Sequence, residues 1–419
     1  MILARLQRRS RPDLIERPAR PLTGPGRLRR DIGPVYAANG LIGLIFSATG
    51  PVAVILAVGT AGGLSPAELA SWIFGVFFLN GLLTVLFCGL YRQPLAFFWT
   101  IPGTVLVGPA LTHLSWPEVV GAFYATGALM LVLGLSGWVR RAMSAVPMPI
   151  VMGMVAGVFL RFGTDLVHAL RDDLVIAGPM VLAFVLLSVR PRGWRPPIIV
   201  ALLVGAVMIA LTGRFDPGPA ASDQLLAAPV WQAPVWSTQA MVELVVPLAI
   251  TVLVVQNGQG IAVLRAARHE VPINAVTIAC GVWSLLAATV GAVSSCLTGP
   301  TNALLTASGE RSRQYTAGIC CGLLAVGFGL FAPLFTRLML AAPAAFVATL
   351  AGLAMLRVLQ AAFVTAFRTR FTLGALVTFV VTIADVSILN IGAAFWGLVA
   401  GLGVSLLLER PDFAAERAE

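Results

Sequence analysis

Charge is scarce in this chain. Asp, Glu, Lys and Arg make up 11% of its 419 residues, against 58% hydrophobic, and the mean hydropathy is +0.91. A soluble protein of that composition has no polar face left for water. Lysine is missing altogether, since all 28 basic residues are arginine, a usage for which coding bias is a sufficient explanation. The net charge of +10 does not mark a nucleic-acid binder, because nine of the arginines fall in the first 30 residues. No apolar core follows that charged start, so it is not a signal peptide and reads as a disordered basic cytoplasmic tail. Five cysteines (Cys88, Cys280, Cys296, Cys320, Cys321) all lie in apolar segments without a C-x-x-C spacing. That excludes a disulfide framework, implies no metal, and makes them small hydrophobic filler. The three histidines, His113, His168 and His269, stand at the ends of apolar runs, so a central histidine relay has no obvious member. Neither H-E-x-x-H, nor an Asp-rich diphosphate-binding motif, nor an intramembrane Ser–His arrangement occurs. A membrane-embedded enzyme is therefore set aside, and no cofactor is implied.

What the chain does have is repeated apolar runs of about 17 to 25 residues, the length a helix needs to cross a bilayer. About fourteen such spans begin near Tyr36, Pro66, Pro94, Pro117, Ala145, Asp173, Pro197, Thr238, Ile273, Ser294, Tyr315, Leu338, Phe371 and Asn390. With both termini in the cytoplasm, arginines 92, 140, 141, 190, 192, 195, 265, 268, 311, 313, 357, 368 and 370 fall in inner loops. Only Arg161, Arg171, Arg214 and Arg337 fall outside, as the positive-inside rule requires. The expected fold class is an all-α polytopic membrane protein.

The Pro-rich connection from Gly213 to Ser237 divides the spans into seven and seven. At a constant offset of 196, Arg141-x-Met143-x-Ala145-x-Pro147 matches Arg337-x-Met339-x-Ala341-x-Pro343, and Leu160-Arg161 matches Leu356-Arg357. An odd number of spans per half inverts the second half relative to the first, the architecture of many secondary transporters.

In such a repeat the site lies at mid-membrane, where discontinuous spans from each half meet. Ser294–Gly309, SSCLTGPTNALLTASG, carries seven polar side chains around the Gly299-Pro300 step. Its counterpart is the third span, Pro94–Thr112, with Thr100, Pro102, Gly103 and Thr104; at the same offset Thr104 pairs with Pro300. A broken backbone at membrane depth is tolerated only against protein or a water-filled cavity. Spans 3 and 10 are thus expected to be discontinuous, with their freed N–H groups facing an anion. Thr298, Gly299, Thr301 and Asn302 add side-chain or close backbone contacts. Gln256, Asn257 and Gln259 form a third polar cluster, amides that are costly in a span unless used. In the matching place of the first half stand Tyr36 and Asn39. Phe97, Phe98 and Trp99 are candidates to wall an apolar pocket. Helix packing through small and polar residues is the competing explanation for each of these features. Glu243 lies 13 residues before Gln256, roughly 20 Å along a helix, and is not expected to touch the same ligand.

The runs PLAITVLVVQNGQGIAVLRA, GERSRQYTAG and VTFVVTIADVSILNIGAAFWGLVAG, with SWIFGVFFLNGLLTVLFCGLYRQPLAFFWTIPGTVLVGPAL, resemble the benzoate–proton symporter family of bacterial inner membranes. The resemblance covers roughly residues 33 to 408. It departs at Gln259, where the family usually has proline, and in the tenth span.

The resemblance implies a seven-plus-seven inverted repeat related in architecture to the uracil, ascorbate and sulfate carriers. It implies a basic tail (1–32), a core domain (33–140 and 238–337), a gate domain (141–212 and 338–408), an extracytoplasmic loop (213–237) and a cytoplasmic tail (409–419). It also implies elevator-like symport of an aromatic carboxylate with protons, and a homodimer through the gate. With amides where nucleobase carriers have acids, the substrate acid itself is expected to carry the proton. A nucleobase carrier and a passive anion channel stay open as alternatives.

Overall fold

The computed structural model describes residues 15–18, 24–139, 146–189, 197–216, 225–307, 309–384, 386, 388 and 393–418. The span starts expected at Ala145 and Asn390 lie outside them, as does most of the basic tail. Helices α1 (Pro34–Ala61) and α2 (Pro66–Tyr91) are followed by a short strand β1 (Phe97–Trp99) and helix α3 (Ile101–Ala110). Next come α4 (Trp116–Ser136), α5 (Met148–Asp172), α6 (Leu174–Val189) and α7 (Pro197–Thr212). The second half runs α8 (Thr238–Ala266), α9 (Ile273–Ala288), β2 (Ser295–Leu297) and α10 (Gly299–Leu305). It continues through α11 (Tyr315–Leu330), α12 (Ala332–Leu340), α13 (Ala344–Ala366), α14 (Thr372–Ala384) and α15 (Ala393–Leu408).

The helix starts follow from sequence. Ser65 with Glu68 and Ser115 with Glu118 form capping boxes at the heads of α2 and α4, each with Pro in the first turn, so that two orphan N–H groups are satisfied reciprocally. Six helices are long and apolar enough to cross a membrane, and α11 with α12 makes a pair bent by 67°. Six shorter helices (α3, α6, α7, α9, α14 and α15) are also apolar. Leu182, Leu186, Leu203 and Val207 on α6 and α7 are exposed, the outward apolar face a lipid environment requires.

The helices pack as two groups. In one, α4 packs on α9, α2 and α1 on α11, α8 and α1 on α10, and α1 on α3; in the other, α5 packs on α13 and α14, α14 on α15, and α6 on α7. Contacts of α1 with α13 and of α3 with α5 join the groups. At the first junction Gly50 lies directly against the Ala354 methyl, where a Cβ would overlap it.

Several expectations are corrected. The tail is not wholly unstructured: Pro25–Asp31 is a helix, and the Glu16 carboxylate accepts the Asn274 and Ala275 N–H groups at 3.1 and 2.9 Å at the head of α9. The twelfth span does not begin at Leu338; residues 332–340 form the separate amphipathic α12, and the long helix starts at Ala344. Neither Arg161 nor Arg357 is in a loop, since they lie inside α5 and α13. An arginine flanked by apolar residues reads as a boundary when loops are assigned by charge, although a cavity can keep it wet within a helix.

Candidate functional site

At the centre of the first group, β1 and β2 pair antiparallel, with Phe97 opposite Leu297, Phe98 opposite Cys296 and Trp99 opposite Ser295. Thr100 and Thr298 follow as extended N-caps, each accepting from an N–H of its own helix, Gly103 at 3.1 Å and Thr301 at 3.3 Å. Pro102 and Pro300 occupy the second helical position of α3 and α10, where a missing N–H costs nothing. The equivalent residues are therefore Thr100 and Thr298, 198 positions apart, not Thr104 and Pro300 at 196. The strand–helix units are displaced by two residues from the register that holds at Pro147 and Pro343. Caps and prolines together also consume most of the free donors expected here: in the first turns they leave the N–H groups of Ile101 and Gly299.

A cavity of about 600 Å³ lies where these helix starts meet α1, α8, α5 and α13. Phe98, Trp99, Phe159 and Phe184 contribute aromatic wall; Gln256, Gln259, Thr298 and Thr301 contribute the polar side chains expected from sequence. Among the described residues neither the Gln256 nor the Gln259 amide hydrogen-bonds to protein. Gln256 and Asn257 sit in a π-helical turn of α8, Thr251–Asn257, a local widening that recurs at functional sites. Gly299 lets α10 pass close to α8, because a Cβ there would stand 2.8 Å from the Gln259 Cβ.

The other expected residues are nearby but otherwise engaged. The Asn302 carbonyl oxygen accepts from Ala96 N at 2.9 Å, and its amide donates to Thr298 O at 2.6 Å. Asn257 accepts from Leu297 N at 2.7 Å. Both are buried and pin the ribbon. Thr100 donates to Thr251 Oγ1 at 3.0 Å, and Thr104 donates to Thr100 O at 3.0 Å. Gly103 packs against the Thr100 side chain and Leu248. Tyr36 and Asn39 do not line this cavity; the Tyr36 hydroxyl accepts from Glu310 N at 3.0 Å and Arg313 lies 5.0 Å over its ring. Phe97 turns away from the cavity and packs on Phe87 at 5.1 Å between ring centres.

Besides Ser188, whose hydroxyl donates to Phe184 O at 2.7 Å, three polar or charged lining residues were missed. Ser47 and Thr49 line the cavity from the break in α1, Ser47 within 3.1 Å of Thr301 Oγ1. Their signal was present: Thr49-Gly50-Pro51 repeats the tripeptide Thr298-Gly299-Pro300, hidden in a longer apolar run. The third is Arg357, at the exposed rim, donating to Gln360 Oε1 at 3.0 Å. Its remaining guanidinium N–H groups make it the cation of an otherwise uncharged wall.

A second cavity, about 630 Å³, lies toward the far end of α3 and is lined by Thr112, Arg161, Asp165 and Glu243 among apolar residues.

Comparison with known proteins agrees with this architecture. Residues 30–407 match the family model described as benzoate membrane transport protein. Inner membrane protein YdcO of Escherichia coli (strain K12) is 27% identical over 88% of this chain and 95% of its own. The benzoate membrane transport protein of Acinetobacter baylyi is 26% identical over 92% of this chain and 98% of its own. Among solved structures, the transmembrane domain of a cyanobacterium bicarbonate transporter BicA superposes with a TM-score of 0.55 at 17% identity, covering 87% of this chain and 97% of that one. The murine Solute Carrier 26 family member A9 anion transporter, in the inward-facing state, gives 0.60 at 13% identity, over 88% of this chain and 68% of that one. These two likenesses are of fold. The chain is thus a multi-pass inner-membrane transporter and belongs to the benzoate membrane transport protein family.

Proposed function

We propose that the chain imports benzoate, or a closely similar aromatic carboxylate, together with a proton, by alternating access in which the helix group bearing the ribbon moves against the other. The observation that carries this reading is the first cavity. Its aromatic and aliphatic wall suits a ring, while the unpartnered amides of Gln256 and Gln259 and the Arg357 guanidinium suit a carboxylate. Neither Asp nor Glu is among the residues lining it, so the carboxylate meets no like charge. The name of the Acinetobacter relative supports the substrate.

On this reading the six long helices, the bent α11–α12 pair, the six shorter apolar helices and the β2–α10 unit are counted as fourteen spans, with both termini assigned to the cytoplasm from the arginine bias. On the same reading the first helix group is the core domain (33–140 and 238–337) and the second the gate (141–212 and 338–408). Between them the contact at Gly50 and Ala354, built from small side chains, suits sliding. A homodimer through the gate helices follows from the same resemblance.

The test is uptake of labelled benzoate into proteoliposomes under an inward proton gradient, wild type beside Arg357→Gln. Wild type accumulates label and shows saturable counterflow, which a channel lacks. The variant, folded by its elution profile, needs about tenfold more substrate, since a charge-assisted hydrogen bond contributes about 1.5–3 kcal/mol. If wild-type protein ignores benzoate but binds a nucleobase, the substrate assignment falls.

A further inference from the structure

Glu243, in the wall of the second cavity, forms with His113 an acid–base pair that transport of a neutral benzoic acid would not need. Glu243 is buried, 5% exposed, and its Oε2 lies 2.9 Å from His113 Nε2. The other ring nitrogen, Nδ1, lies 3.1 Å from Thr112 Oγ1. That hydroxyl has one proton, which the Pro109 carbonyl oxygen takes at 2.7 Å. Thr112 must then accept at Nδ1, so His113 carries a proton there. With Nδ1 protonated, the contact at Nε2 is closed only when it holds a further proton. Either a neutral Glu243 donates O–H to Nε2, or an imidazolium donates N–H to the carboxylate. Without that proton, two lone pairs face each other and the contact opens. The closed pair is neutral; the open one carries a charge of −1.

The pair also stands where it can act on the substrate cavity. Glu243 lies in the π-helical turn Met241–Val245 at the head of α8, and the second such turn of the same helix carries Gln256. His113 follows α3, whose N-cap Thr100 bonds Thr251 of α8. Helices α3 and α8 are therefore tied twice, once beside the substrate cavity and once by the protonated pair. The 13 residues from Glu243 to Gln256 form the connecting rod.

Resting on the reading of the chain as a proton-coupled carrier, we infer that Glu243 and His113 are the coupling-proton site. One proton enters the Nε2···Oε2 contact from water in the second cavity as the pair closes. It returns to water on the opposite side as the pair opens, so one proton crosses with each benzoate anion and no net charge moves. The charged groups facing the pair are Arg161 and Asp165 of α5, across the cavity, and Glu118 in the first turn of α4, within electrostatic reach of His113.

The experiment has two arms. In lipid nanodiscs, ¹⁵N-histidine NMR, assigned with His168→Gln and His269→Gln, follows the His113 ring over about pH 5 to 9, the range in which histidines titrate. The wild type is expected to hold Nδ1–H throughout and to show the Nε2 signal change as the shared proton leaves the contact, whichever of the two atoms held it. In Glu243→Gln, whose amide can donate to Nε2 in the same geometry, His113 stays neutral across that range. In proteoliposomes, Glu243→Gln keeps benzoate counterflow within about twofold of wild type but loses gradient-driven accumulation, which for one proton per anion approaches about tenfold per pH unit. His113→Gln loses it as well. Accumulation that survives in both variants overturns the proposal, as does a His113 signal identical in wild type and Glu243→Gln. If wild type carries no benzoate, the substrate reading fails while the NMR arm still decides the pair.

Discussion

Thr100 and Thr298 head two short helices that leave one antiparallel ribbon in opposite directions, built on the same Thr-x-Pro start. The two units nevertheless do different work. In the first, Thr104 closes only on its own turn, to Thr100 O. In the second, the equivalent residue is Asn302, which crosses to the first strand and holds both polar groups of Ala96, accepting from N at 2.9 Å and donating to O at 3.3 Å. The second unit therefore fixes the first. It also supplies Thr298, Pro300 and Thr301 to the substrate cavity and, through Gly299, sets where Gln259 stands. Related halves need not share their duties equally: here one is the clamped partner and the other the clamp.

The largest expected effect tests that inequality. Asn302→Ala leaves the buried Ala96 N–H and Thr298 carbonyl without their side-chain partner, at about 1–3 kcal/mol for each group left unsatisfied. Its midpoint in a detergent thermal melt should fall well below wild type. Thr104→Val should cost about 1 kcal/mol, because Thr100 O still accepts from Thr104 N at 2.9 Å. Equal losses would mean that the two units bear equally on the fold.

Gly299→Ala must move α10 from α8, since its Cβ would stand 2.8 Å from the Gln259 Cβ. It is expected to lower the melting midpoint and also to raise the half-saturating benzoate concentration several-fold, by pushing Gln259 from its position. In the first unit Ile101 stands where the second has Gly299. The change at its own glycine, Gly103→Ala, meets the Thr100 side chain and Leu248, and should lower the melting midpoint with less effect on affinity. Binding isotherms and melts on the same two preparations separate these outcomes.

The smallest effect concerns the far end of the second unit. There His269 Nε2 lies 2.8 Å from Gln314 Oε1, and Gln314 in turn donates to Thr306 O at 3.1 Å. Burial is the main reason the His269 pKa lies below the ordinary histidine value; the Gln314 bond opposes the shift and Arg311 adds to it. The unfolded chain then binds a proton at higher pH than the folded one. The stabilisation is full above the unfolded value of about 6.5 and is lost as pH falls below it toward the folded value. Melts at falling pH should show this loss in wild type and a smaller one in His269→Gln.

Much of this arrangement was legible in the residues. Gly and Pro steps amid Thr and Asn marked both strand–helix units, and clustered amides marked the turn of α8, because such groups persist in an apolar span only where something satisfies or uses them. What the chain order hid were meetings between distant residues. His113 and Glu243 each look like an ordinary span end, and only folding brings them to 2.9 Å across 130 positions. Asn302 was legible as a polar group that must be used, but not as one used by Ala96. Arg357 was misread for a different reason: its charge fitted an inner loop, so reading loops from charge concealed its place inside α13 at the cavity rim. The amphipathic α12 escaped notice as a separate helix because length and hydropathy carry no record of the 67° bend that sets it off from α11.

Arg161 and Arg357 occupy matching positions in the two halves and stand one in each cavity. On the proposed function, an anion that enters either cavity finds one guanidinium in its wall. A machine with the same handshake at both doors has no built-in sense of inward or outward. If benzoate is the substrate as proposed, its direction of travel is left to concentration and pH, and the same protein would drain a cell as readily as fill it once those gradients were reversed.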